Sequence, residues 1–237
     1  KSLKSEKRRN LMVVIAVALA SCLICFSIVM ALSTRQIEKN HVEDTYEAVY
    51  TRITEEDVST LKGLDDFSRV GEYYMLAVEP AKQGYNASYI YCDEETMYIA
   101  RDQMKLLEGR LPQKEDEVAV SRYFLSNYGA DAGIGEKVML NSESFHGEYT
   151  VTGILEGYKE KEVNGSSILL SKEALKGWSG YDPADYRAYV HFKNEQQMDE
   201  TELTARSREI AKEYQLEMPI MNLSYMKFYK QPVNVSM

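Results

Sequence analysis

An α+β domain behind one membrane-spanning helix is the fold class this sequence predicts, and three observations predict it. An uninterrupted apolar block, Leu11 to Leu32, lies near the start of the 237 residues. The remainder alternates short strand-like and helix-like stretches without a regular strand–helix–strand rhythm, which reads as mixed α+β and not as a doubly wound sheet. Outside the apolar block there is a single cysteine, Cys92, so no internal disulfide can staple the fold and a packed core must hold it.

The first ten residues carry Lys1, Lys4, Lys7, Arg8 and Arg9 against Glu6, a charge of +4, which leaves −13 on the rest of a chain whose net is −9. A body that acidic lacks the basic surface that displaces counterions from nucleic acid, so no nucleic-acid partner is expected. The block Leu11–Leu32 (LMVVIAVALASCLICFSIVMAL) contains no charge, Pro or Gly. As a helix it spans about 33 Å, against roughly 30 Å of bilayer hydrocarbon. Basic residues directly before it place that end in the cytoplasm by the positive-inside rule. The expected boundaries are a cytoplasmic tail over 1–10, a transmembrane helix over 11–32 and an extracytoplasmic domain over 33–237. Leu19-Ala20-Ser21-Cys22 resembles a lipoprotein signal and Ala31-Leu32-Ser33 a cleavage site. The apolar run continues past Cys22, however, and is longer than the core of a cleaved signal, so the uncut helix is preferred. Cys22-x-x-Cys25 lies inside this helix with no further metal ligand near it.

The elements follow in order. Residues 34–44 are polar and extend the helix outward. Tyr46–Ile53 alternates as a strand. Thr54 caps a short acidic-fronted helix to about Lys62. Phe67–Val78 and Ser88–Tyr98, rich in Tyr and β-branched residues, read as strands, and Asp102–Leu107 as a short helix. Glu117–Ser121 is a strand followed by a helix over Arg122–Tyr128. Lys137–Leu140, Glu148–Leu155 and Ser167–Leu170 are strands, the last followed by a helix from Ser171. Tyr186–Phe192 alternates clearly. Met198–Tyr214 is the longest helix of the domain, with Leu203, Ile210, Ala211 and Tyr214 on one face.

No catalytic residue, metal site or cofactor is expected. His41, His146 and His191 are isolated, and no nucleophile elbow is present. The glycine-rich stretch Gly129–Lys137 has no Ser or Thr after its lysine and no strand before it, so it reads as a turn and not a phosphate loop. Glu115-Asp116-Glu117 reads as an acidic loop tip. The sequons at Asn86, Asn164, Asn222 and Asn234 bear on glycosylation only in a host that performs it. Tyr73-Tyr74 and Tyr89-Ile90-Tyr91 are read as cross-strand packing, with a ligand-facing surface as the alternative.

One series of residues says more. Gly109-Arg110-Leu111-Pro112 leads through the acidic loop to Glu117. Gly133-Ile134-Gly135-Glu136-Lys137-Val138-Met139-Leu140 and Tyr149-Thr150-Val151-Thr152-Gly153-Ile154-Leu155 follow. Locally, Gly109 suits a left-handed helix end that Pro112 keeps from resuming, Gly135 a turn, and Gly153 a bulge or close backbone approach. Behind a correctly oriented first helix, this order resembles the extracytoplasmic domain of MacB/FtsX-type ABC-transporter permeases, from the basic N-terminus to Met221–Tyr225. The residues that carry the resemblance, in a structural and not a catalytic sense, are Gly109, Arg110, Pro112, Glu117, Gly135, Val151 and Gly153.

The resemblance implies a permease subunit without enzymatic activity of its own. It implies a cytoplasmic ATP-binding ABC subunit as partner, the lipid bilayer, and a second permease copy as dimer or heterodimer. It implies export or movement of a peptide, antimicrobial or lipid-like substrate, and three further membrane helices beyond this stretch. The first residue is Lys and not Met, so both ends read as cut. The alternative is a single-pass membrane-anchored receptor or binding module; an anchored exoenzyme is disfavoured by the absent nucleophile and metal signatures.

Overall fold

The computed structural model describes residues 2–43, 45–82, 84–101, 103–128, 132–157 and 160–230. The chain forms two compact units, Lys1–Glu43 and Asp44–Met237. The first is one continuous helix, α1 (Ser2–Val42). Its stretch Arg9–Ile37 is long and apolar enough to cross a membrane. Leu11, Met12, Val13, Val14 and Val17, which between them point to every side of the helix, are all exposed, so the apolar surface runs round it. Such a helix suits lipid and not the flank of a globular core.

The second unit is an α+β domain built on a ten-stranded sheet. In chain order its elements are β1 (Ala48–Ile53), α2 (Glu55–Lys62), β2 (Phe67–Lys82), β3 (Tyr85–Cys92), α3 (Glu94–Ile99), β4 (Met104–Gly109), β5 (Glu117–Ser121) and α4 (Arg122–Tyr128). There follow β6 (Lys137–Asn141), β7 (His146–Gly157), α5 (Glu160–Val163), β8 (Gly165–Leu170), α6 (Lys172–Gly177), β9 (Tyr186–Phe192), α7 (Glu200–Glu213), β10 (Ile220–Met221) and α8 (Leu223–Tyr225). The strand order is β10-β1-β9-β2-β3-β8-β5-β7-β4, with β6 pairing β7. The block β10-β1-β9-β2-β3 is antiparallel throughout. A parallel seam, Asn86↔Gly165 to Ile90↔Leu169, joins it to the other strands.

Alternation along the strands loads both faces of the sheet. On one face Tyr50, Tyr74, Tyr89, Val118, Val120, Ile168, Leu170, Tyr186, Ala188 and Val190 share a core with α2 (Val58, Leu61), α4 (Phe124), α6 (Leu175) and α7 (Leu203, Ile210, Ala211). On the other, Val49 and Tyr189 meet Ile99 and Ala100, while Ile90, Cys92, Ala119, Leu155 and Leu169 are covered by Met75, Met97, Met104, Leu106 and Leu111. In β1 the register shifts between Thr51 and Ile53. Arg52 sits there at φ 54, so Ile53, and not Arg52, joins Tyr50 in the core.

Three sequence expectations are corrected. Residues 94–99 form α3 and not the end of a strand: Asp93 caps the helix by accepting from Thr96 N, with Glu94 and Glu95 in the first turn. The expected helix over Asp102–Leu107 is instead the strand β4, paired antiparallel with β7 from Met104↔Gly157 to Gly109↔Gly153; Asp102 itself lies outside the described residues. Gly109 is left-handed, at φ 81, but it ends this strand and not a helix.

Candidate functional site

The motif residues, scattered over 45 positions of sequence, converge where β4 ends, β5 begins and β7 runs past both. Arg110 donates in a two-pronged arrangement to Glu117, Nη1 to Oε2 and Nη2 to Oε1, each at 2.7 Å. Glu117 Oε2 also accepts from the backbone N–H of Gln113 at 2.8 Å and of Lys114 at 3.3 Å. The Glu117 side chain is 8% exposed. Despite that burial, the Arg110 guanidinium and the two N–H groups hold its carboxyl down at about 2. Pro112 is buried beneath this turn. The loop 113–116 is thus folded over one carboxylate.

The backbone closes the same knot. Arg110 N donates to Thr152 O at 2.9 Å, Gly135 N to Val151 O at 2.8 Å, Val151 N to Glu136 O at 2.9 Å, and Thr150 N to Asp116 O at 2.7 Å. Space is the reason for two of the glycines. A Cβ on Gly109 would lie 2.2 Å from Thr152 O, and a Cβ on Gly153 would lie 2.6 Å from Arg110 O. The close approach expected at Gly153 is therefore real, and the β5–β7 register shifts beside it. Gly135 takes φ 87 in the turn into β6. These groups make a buckle of hydrogen bonds and close backbone contact. Its one acid–base pair, half-exposed Arg110 with buried Glu117, is a satisfied ion pair.

A second cluster stands where the chain enters the domain. Tyr46 N donates to Ile99 O and Glu47 N to Val190 O, while Asn222 N donates to Glu47 O. Asn222 Nδ2 also bonds Tyr46 O at 2.9 Å. The Glu47 side chain is fully buried; its Oε1 is 2.7 Å from His191 Nδ1 and its Oε2 accepts from Phe192 N at 2.7 Å. Burial pushes the Glu47 carboxyl up, against the opposing pull of His191. Strands β1, β9 and β10 are thereby locked together within a few residues of Val42. Nothing in the spacing of Glu47, His191 and Asn222 announces this, because the three are brought together only by sheet pairing.

Other sequence candidates resolve differently. Tyr74 and Tyr89 are core residues, and Tyr73 packs edge-on against Tyr189 at 5.5 Å. Tyr73 also lines a cavity of about 60 Å³ with Cys92, Met97 and Met104. Of the acidic tip, Glu117 is taken up by Arg110. Gly129–Asp131 of the glycine-rich stretch and the sequon at Asn234 lie outside the described residues. Asn222 is 7% exposed and caps α8. Among the described residues no cluster of three His, Cys, Asp or Glu could hold a metal ion.

Residues 11–208 match the MacB-like periplasmic core domain family. That match takes in the apolar helix and the whole buckle, and the chain belongs to this family, the extracytoplasmic domains of MacB/YknZ-type ABC-transporter permeases. Solved structures share the fold. The extracellular domain of the noncanonical ABC-type transporter YknZ from Gram-positive bacteria superposes with a TM-score of 0.51 at 14% identity, covering 75% of this chain and 100% of that one. The periplasmic region of MacB from Actinobacillus actinomycetemcomitans gives 0.51 at 12%, covering 78% and 91%. A domain of a putative permease from Porphyromonas gingivalis gives 0.50 at 15%, covering 79% and 98%. No curated protein matches the sequence.

Proposed function

We propose that this chain supplies the first membrane helix and the extracytoplasmic core domain of an ABC-transporter permease subunit. Its boundaries in this reading are a cytoplasmic tail over 1–10, the membrane helix over 11–32 and the outer domain over 33–237. A separate cytoplasmic subunit binds and hydrolyses ATP. The helix carries that movement outward to a domain that meets a peptide, antimicrobial or lipid-like substrate, and a second permease copy completes the assembly. The observation that carries the reading is the family match, which runs through apolar helix and domain together from residue 11 to residue 208.

The clasp around Glu47 and Asn222 supports a mechanical role. A strand that receives movement from a membrane helix must be tied to its neighbours if the sheet is to follow as a body. The clasp ties β1 to β9 and β10 at that position. The test is affinity purification of the tagged chain from native membranes in mild detergent. A P-loop ATP-binding subunit is expected to co-purify, and the chain by itself to hydrolyse no ATP. Recovery of the chain free of any ATP-binding subunit, from membranes that contain one, contradicts the reading.

A further inference from the structure

The sheet ends at β10, and there the domain exposes a run of apolar side chains. Met218, Ile220 and Leu223 are 53%, 60% and 78% exposed within six positions. The other exposed large apolar residues of the domain, Val78, Tyr98, Leu107, Ile134 and Met139, are dispersed along the chain. The run is fixed from within. Asn222 accepts from Tyr225 N at 3.1 Å, and Tyr225 and Met226 are buried in the core. A π-helical turn, Met226–Lys230, continues α8. Lys227 is exposed, its Nζ 5.1 Å from the ring centroid of half-buried Phe228. Leu223 and Lys227, four positions apart, stand on one helical face.

Charge sets this segment apart. Residues 218–230 contain Lys227 and Lys230 and no Asp or Glu, a charge of +2, in a chain that carries −13 beyond its first ten residues. Repulsion keeps the rest of so acidic a domain off an anionic surface, whereas a basic segment with exposed Leu and Phe has the composition that lies at a lipid headgroup boundary. The segment is also tied to the point where the chain enters the domain: Asn222 N donates to Glu47 O and Asn222 Nδ2 to Tyr46 O. Tyr46 follows Ile37, the last residue of the apolar stretch of α1, by nine positions, a reach of at most about 30 Å. A second copy adding a strand here is disfavoured: β10 pairs over only two residues, and Pro219 beside it has no N–H to donate.

We propose that the surface formed by Met218, Ile220, Leu223, Lys227 and Phe228 docks on anionic lipid headgroups of the bilayer that holds α1. Lys227 meets phosphate oxygens, and Ile220 and Leu223 enter the boundary between headgroups and acyl chains. The domain then has a docked and a free position on its tether. The proposal needs α1 in lipid and nothing of the transport reading, so co-purification of an ATPase and docking fail separately.

The experiment places the full chain, with Cys22→Ala and Cys25→Ala, in lipid nanodiscs at one chain per disc. An NBD fluorophore is attached to Ser224→Cys or, at the other end of the sheet, to Met139→Cys. Both positions are exposed, and Cys92 is too buried to take the label. The discs contain phosphatidylglycerol in phosphatidylcholine, or phosphatidylcholine alone. With phosphatidylglycerol, the probe at position 224 is expected to shift its emission to the blue and to be quenched by doxyl-labelled lipid, and the probe at position 139 to do neither. K227Q is expected to lower the docked-to-free ratio, read from the quenched fraction, about fivefold, the scale of one lysine beside an anionic surface. L223S, at an exposed side chain outside the core, is expected to lower it too, and so is added salt. Equal quenching at 224 and 139, equal quenching in phosphatidylcholine alone, or K227Q and L223S matching the parent each overturns the proposal. Burial of the probe at 224 that appears only with two chains per disc overturns it as well and assigns the surface to a second copy.

Discussion

At the residue scale, Glu117 concentrates the most interactions of the buckle: two from Arg110 and two from the backbone of its own loop. Its folded-state pKa of about 2 lies below the ordinary 4.5. The unfolded chain therefore takes up a proton first, and the stabilisation is present above about pH 4.5 and lost as pH falls from there toward 2. E117Q is expected to flatten that part of the pH–stability curve and to lower stability at pH 7 by about 1–3 kcal/mol, the usual cost of weakening a charge-assisted network on a buried acceptor. Denaturant melts of the full chain in detergent at several pH values measure both. The motif was legible as order and spacing, and Gly153 as a close approach. The Arg110–Glu117 bond was not, because six residues of loop separate the two and only the folded turn at Pro112 brings them face to face.

At the element scale, local chemistry and tertiary pairing compete. Helix α2 was readable because its capping box, Thr54 with Asp57, is contiguous in sequence. Helix α3 was hidden by Thr96, Tyr98 and Ile99, which favour strands, although Asp93 in front of Glu94 and Glu95 is a sound cap signal. Strand β4 was hidden in the opposite sense: Met104-Lys105-Leu106-Leu107-Glu108 has helix propensity, and pairing with β7 overrides it. Asp93 does more than cap. Its Oδ1 accepts from Thr96 N, Thr96 Oγ1 and Glu72 N, and its Oδ2 from Lys62 Nζ. One side chain therefore ties α3 to β2 and α2. Asp93→Ala is expected to cost about 2 kcal/mol, more than an isolated cap, and to raise hydrogen exchange over residues 94–100. Exchange unchanged in α3 would show that sheet packing alone holds the helix.

At the scale of the whole molecule, charge and hydropathy divide the chain as the sequence predicts: a helix apolar on every side, and an acidic α+β domain with a core on both faces of its sheet. The clasp around Glu47 was invisible in sequence, since its partners His191 and Asn222 come from β9 and from the turn after β10. The extracytoplasmic placement of the domain is the claim on which substrate contact and coupling both depend. Cys92, at 3% exposure, is too buried to report it. Lys105, exposed on β4, is the better position. The decisive measurement is labelling of Lys105→Cys, in a Cys22→Ala/Cys25→Ala background, with a membrane-impermeant maleimide on intact cells. The account predicts full labelling before lysis; labelling that appears only after the membrane is broken contradicts it.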